Sequence, residues 1–146
     1  MANEMPNPDD YKGLSRAVLQ YSERFNQLVQ RIKKSDFSEK EWAPIEDLVD
    51  VENFQRMGVF LTDRAEVFGW PQYKKTIMQY GGMTHWEGTL RRITEGPNVV
   101  ILELEERNTT AGVMDVANTV TIYEFNKAGK LHHLDVYVMP LSKRDS

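Results

Sequence analysis

Three histidines stand in a chain of 146 residues that has no cysteine, and His85 sits in the run Thr84-His85-Trp86-Glu87-Gly88. An imidazole titrates near neutrality, so His85 can take a proton from a carbon beside a carbonyl or hold a water that does. The competing reading is a histidine at a strand start, hydrogen-bonded to backbone. Glu87 and Glu105 are the carboxylates best spaced to take the same role. Glu103, Glu105 and Arg107 share one face of a strand: facing inward they make the charged floor of a pocket, and facing outward an ion-pair row of little energetic weight. His132 and His133 are neighbours and point to opposite faces of a strand, so they cannot chelate one metal together, and no metal site is expected.

Composition narrows the partners. The 18 basic and 22 acidic residues give a net charge of −4. Lys and Arg never gather with interleaved aromatics, which argues against nucleic acid. The one short basic cluster, Arg31 to Lys34, reads as a solvated helix end where cations suit the dipole. Without cysteine there is no disulfide scaffold, thiolate nucleophile or sulfur-ligated metal. No signal-peptide pattern and no apolar run near the ~20 residues of a membrane span is seen, so a cytoplasmic protein without a membrane partner is expected.

The elements that must hold these residues are read from periodicity. A polar arm covers residues 1–11, one domain covers 12–140, and a tail covers 141–146. Leu14, Val18, Tyr21, Phe25, Leu28, Val29 and Ile32 recur every three or four residues and predict a helix of about five turns. Ser38-Glu39-Lys40-Glu41 has capping-box form and starts a second short helix that Pro44 kinks or shortens. A short strand is expected around Val51 to Met57, then an irregular stretch to Gly69. Trp70-Pro71 opens a third helix, and Gly81-Gly82 closes it at positions expected to need φ > 0. Four alternating runs follow, ending in the hairpin VMDVANTVTIYEF, a turn carrying Gly129, and LHHLDVYVMP. The result is an α+β layout with helices on one face of a curved antiparallel sheet.

This order over residues 12–140 resembles the NTF2-like cone, a fold shared by SnoaL-type polyketide cyclases, ketosteroid isomerases, scytalone dehydratases and limonene epoxide hydrolases. YEFNKAGKLHHLDVYV resembles the last hairpin of that fold, and WPQYKKTIMQY stands where it has its third helix. The resemblance implies a cavity between the concave sheet and the first helices. It puts Thr119, Thr121, Tyr123, Leu134, Val136 and Val138 on the cavity face, and Asn118, Val120, Ile122, His133, Asp135 and Tyr137 outside. That outer face is apolar enough to imply a homodimer or higher homo-oligomer.

Against the ketosteroid isomerase pattern Tyr21 matches the oxyanion tyrosine, whereas the base falls near Arg56 and the acid at Thr121, which disfavours that chemistry. The dehydratase branch has a histidine followed by an aromatic and a glycine, as in His85-Trp86-Glu87-Gly88; its other substrate contacts find no match. Arg56 falls at the implied cavity rim, where it binds a carboxylate, enolate or phenolate, or is a surface arginine. The leading expectation is a cofactor-independent lyase, dehydratase or isomerase acting on a small, largely apolar, aromatic or polyketide-like ligand. His85 would be the base, Tyr21 and Arg56 the oxyanion donors, and Thr119, Thr121, Tyr123, Trp86, Glu105, Arg107 and Val136 the substrate contacts. The alternative is a binding or interaction domain without turnover.

Overall fold

The computed structural model describes residues 3–145, with side chains over 3–141; residues 1, 2 and 146 of the expected arm and tail lie outside the described residues. The apolar stripe of the first third forms α1, Gly13–Arg31, with Val18, Leu19, Tyr21 and Leu28 buried. No side chain of its own caps this helix. The cap comes from 80 positions away: Glu95 Oε1 accepts from the Ser15 N–H at 2.8 Å and the Ser15 hydroxyl at 2.7 Å. A carboxylate at a helix N-terminus satisfies orphan donors and complements the dipole. These bonds hold Glu95 below the usual carboxylate range.

The Ser38 capping box forms as the spacing predicts, with Glu41 reaching back to the Ser38 N–H at 2.9 Å. It opens a 3₁₀ turn over Glu39–Trp42, and Pro44 restricts the α-helix that follows, α2, to Ala43–Glu46. Strand β1 is Gln55–Gly58 and β2 is Glu66–Gly69. The expected strand start at Val51 is displaced to Gln55 because Asp50 draws 51–53 into a turn, its carboxylate accepting from the Asn53 side chain at 3.1 Å. Helix α3 follows at once as Trp70–Tyr80. Its end corrects the sequence reading: Gly81 has φ −60°, and the chain turns on as a 3₁₀ segment over Gly81–Met83. The glycines serve close approach instead, since a Cβ at Gly82 would lie 2.9 Å from Lys33 Cγ.

Four long strands complete the fold: β3 His85–Gly96, β4 Val99–Thr110, β5 Val113–Phe125 and β6 Leu131–Asp145. They pair as an antiparallel meander, β1 joins β6 in parallel, and β2 joins β1, giving one open six-stranded sheet in the order β2-β1-β6-β5-β4-β3. The register shifts at Leu90/Arg92, Val116/Ala117 and Glu124/Phe125. Each such bulge adds local twist and bend, which makes the sheet concave toward the helices. β6 runs on through Asp145, so the expected tail after residue 140 is mostly strand. The expected arm is not free either, since Glu4 bridges Thr89 and its N–H donates to Gly88 O at 2.8 Å, covering part of the β3 edge.

Aromatic packing fixes the helices on the sheet. Phe25 of α1 stacks on Tyr73 of α3 at 5.8 Å, Phe54 meets Trp70 edge-on at 4.9 Å, and Trp42 meets Trp70 at 5.8 Å. Such pairs add about 0.5–1.5 kcal/mol each beyond buried area. Among the described residues no helix is long and apolar enough to cross a membrane.

Candidate active site

Between the concave face and helices α1 and α3 lies a cavity of about 530 Å³. The alternation of β5 and β6 builds its floor: Thr119, Thr121 and Tyr123 face Val138, Val136 and Leu134 across the register, and all six line the cavity. Helix α1 adds Tyr21, Phe25 and Val29, and α3 adds Tyr73 and Ile77. Arg56 reaches in from β1, and Phe60 and Leu61 of the 59–65 loop stand at the rim.

Seven of the residues singled out from sequence meet here: Tyr21, Arg56, Trp86, Thr119, Thr121, Tyr123 and Val136. His85, Glu105 and Arg107 do not line this space, and parity explains each. Trp86 turns inward, so its neighbours His85 and Glu87 turn outward. The His85 side chain is 66% exposed, its Nε2 stands 3.8 Å from Glu87, and it borders a shallower recess beside the cavity with Lys33 and Met83. On β4, Leu104, Glu106 and Asn108 line the cavity, which sends the alternate residues Glu103, Glu105 and Arg107 to the convex face. There Arg107 Nη1 donates to Glu105 at 2.9 Å and to the Thr89 hydroxyl at 3.0 Å; the row faces away from the cavity, but its arginine side chain is only 1% exposed, so it is a buried ion pair and not a solvated one.

The carboxylate that does enter the cavity is Glu106. Its Oε1 accepts from the Trp86 indole N–H at 2.5 Å, a short bond that fixes the carboxylate in the cavity wall. The cue was in the alternation Val100, Leu102, Leu104, whose next inward position is Glu106. Tyr73 is the other addition, its position read only as part of a third helix.

Three phenols line the same cavity, and two of them, Tyr73 and Tyr123, feel this charge. Burial pushes Tyr21 well above its ordinary range, with Tyr73 and Tyr123 adding and Arg56 opposing. Burial likewise raises Tyr123, with the Glu106 charge adding, and raises Tyr73 against the opposing Arg56 charge. All three therefore remain O–H donors across the physiological range. Tyr21 Oη and Thr119 Oγ1 are buried with no hydrogen-bond partner among the described residues. A buried hydroxyl without a protein partner is costly, about 1–3 kcal/mol, so each of these two turns to water or to an oxygen that arrives with a ligand.

No family model matches the chain, and no curated protein does either. Solved structures do resemble it. An NTF2-like protein of unknown function from Cytophaga hutchinsonii superposes with a TM-score of 0.58 at 15% identity, covering 88% of this chain and 92% of that one. A putative isomerase from Rhodopseudomonas palustris gives a TM-score of 0.64 at 12% identity, with 84% and 88% covered. An LEH-like epoxide hydrolase from M. tuberculosis gives 0.58 at 10% identity, with 84% and 83% covered. Identities this low carry fold and not chemistry. Three helices on an open, concave, six-stranded mixed sheet, superposable on these proteins over most of its length, give this chain the NTF2-like fold.

Proposed function

We propose that this protein is a cofactor-independent acid–base enzyme of the lyase or isomerase type, acting on a small, largely apolar ligand in the cone cavity. The observation that carries it is one cavity that holds Glu106 together with two buried hydroxyls, Tyr21 and Thr119, that have no partner among the described residues. The neighbouring folds that include a putative isomerase and an epoxide hydrolase support the class without fixing it.

Glu106 takes a proton from a carbon beside the ligand carbonyl. The C–H electron pair becomes the enolate double bond, and the charge moves to the carbonyl oxygen, where the Tyr21 and Thr119 hydroxyls donate to it. The enolate then has two outcomes. Glu106 returns its proton to a conjugated carbon, which is an isomerisation, or gives it to a β-hydroxyl that leaves as water, which is a dehydration. Trp86 acts by holding the carboxylate in place. Thr121, Tyr123 and Val136 shape the floor on which the ligand rests. His85 stays outside this scheme.

The test is a panel of β-hydroxy-ketones and β,γ-unsaturated ketones followed by mass and ultraviolet absorbance. The expected result is turnover of at least one class, lost by about 10²–10⁴-fold in Glu106→Gln with the fold intact by circular dichroism. Saturable binding across the panel with no turnover would assign the cavity to a binding domain instead. A homodimer through the convex sheet face completes the reading, supported by the exposure of Tyr137 and Met139 at 58% and 55%.

A further inference from the structure

Arg56 is the cavity's cation, and its surroundings are unusual for a buried charge. The residue is 7% exposed. Arg16, Arg31, Arg92 and Arg107 each have a carboxylate within 4.0 Å, and among the described residues Arg56 has none. Its guanidinium donates long bonds to Gly58 O at 3.4 Å and Val59 O at 3.3 Å, reaches the Tyr73 hydroxyl, and lies over the Phe60 and Tyr73 rings at 5.1 and 5.4 Å.

Those contacts compensate the burial only in part. Ring faces contribute about 0.5–2 kcal/mol, whereas removing an ion from water costs several. A guanidinium cannot shed its charge at any physiological pH, and two carbonyls and one phenol leave part of its five N–H donors for the cavity. Position adds direction. In the strand order β1-β6-β5-β4, Arg56 stands three strands from Glu106, and its row runs through Leu134 and Tyr123 to Val100, so the two charges lie diagonally across the sheet and its concavity brings them toward one another. Tyr123 and Tyr73 both feel the two charges, so the cavity lies between those charges. The cavity is therefore an axis with a cation at the β1 end, a carboxylate at the β4 end, and an apolar and hydroxyl-bearing floor between.

We propose that the ligand is a monoanion, an apolar or aromatic carboxylic acid whose carboxylate seats on Arg56 and whose body extends over Thr119 and Thr121 toward Glu106. The reverse orientation brings two carboxylates together and is disfavoured by their repulsion. The direction rests on the role proposed for Glu106; the seat on Arg56 does not. A carboxylate matches the fork of a guanidinium with two parallel bonds, which a neutral amide of the same shape cannot reproduce. The ring faces of Phe60 and Tyr73 favour an aromatic body beside the acid group.

The experiment is calorimetric binding of aromatic acids, 2-naphthoate and cinnamate, each against its primary amide. It uses the wild-type protein, Arg56→Gln, Arg56→Lys and Glu106→Gln. The expected result is a carboxylate preference of at least about tenfold in the wild type, abolished in Arg56→Gln, partly kept in Arg56→Lys and kept in Glu106→Gln. The wild-type comparison decides even where a variant fails to fold. Equal affinity for acid and amide, no saturable binding by either acid, or a preference that survives in folded Arg56→Gln each overturns the proposal. Carboxylate preference together with full turnover in Glu106→Gln would leave this inference standing and remove the acid–base reading.

Discussion

Tyr21 shows how one buried side chain links stability to chemistry. Its phenol is raised well above 10.0 chiefly by burial, so the folded protein keeps the proton while the unfolded chain ionises near pH 10. A group raised in the folded state contributes fully below the unfolded pKa and loses that contribution as pH climbs above it. Unfolding free energy is therefore expected to fall above pH 10, by about 1.4 kcal/mol per pH unit for each phenol that stays neutral in the fold. Tyr21→Phe should flatten that slope in denaturant titrations at pH 9 to 11 while changing stability at pH 7 by about 1 kcal/mol or less. An unchanged slope would move the effect to Tyr73 and Tyr123. The same mutation is expected to lower turnover by more than tenfold, since an oxyanion donor is lost. His85→Gln should leave turnover within about twofold, because its side chain is 66% exposed and outside the cavity. The cavity residues of the last hairpin were legible in the sequence because period-two alternation fixes parity once one inward residue is known. His85 was misleading for the same reason: its chemistry is that of a base, but Trp86 beside it is the larger apolar group and takes the inward position.

Among the elements, the 59–65 loop shows how a short polar connection can be held in place. Glu66 Oε1 accepts from the Phe60, Leu61 and Thr62 N–H groups at 3.1, 2.7 and 3.0 Å, so one carboxylate orders the rim of the cavity. These bonds hold Glu66 below its ordinary range of 4.5. Its contribution is present above pH 4.5 and is lost as pH falls through the lowered folded value. Glu66→Ala is expected to speed amide exchange at Phe60, Leu61 and Thr62 selectively and to weaken ligand binding, with exchange in β5 unchanged. Uniform protection in the mutant would show that the loop is held by Phe60 packing on Phe68 and Tyr73 instead. This part of the fold was hardest to read, since β2 has four residues of which only Phe68 is buried, too few to display a period. The third helix and the Ser38 cap were legible because Pro71, Ser38 and Glu41 each act through local backbone chemistry. The glycines after α3 were read for the wrong property: Gly82 admits Lys33 closely, and Gly81 needs no positive φ.

At the scale of the molecule, the curved sheet divides two environments. Its concave face holds Arg56, Glu106 and the phenols, and its convex face carries the Arg107 ion pairs beside exposed Tyr137 and Met139. The proposed homodimer buries that second surface. Light scattering at micromolar concentration should give twice the chain mass, and Tyr137→Glu should halve it without loss of fold; a wild-type monomer would refute the dimer. The concave face carries the central claim, that Glu106 moves a proton between ligand carbon and solvent. Proton NMR of the α-C–H signal of a bound keto acid in D2O tests this without knowledge of the complete reaction. The account predicts protein-dependent loss of that signal, reduced by at least about a hundredfold in Glu106→Gln and unaffected in His85→Gln. Exchange that persists in Glu106→Gln, or that vanishes in His85→Gln, would contradict it.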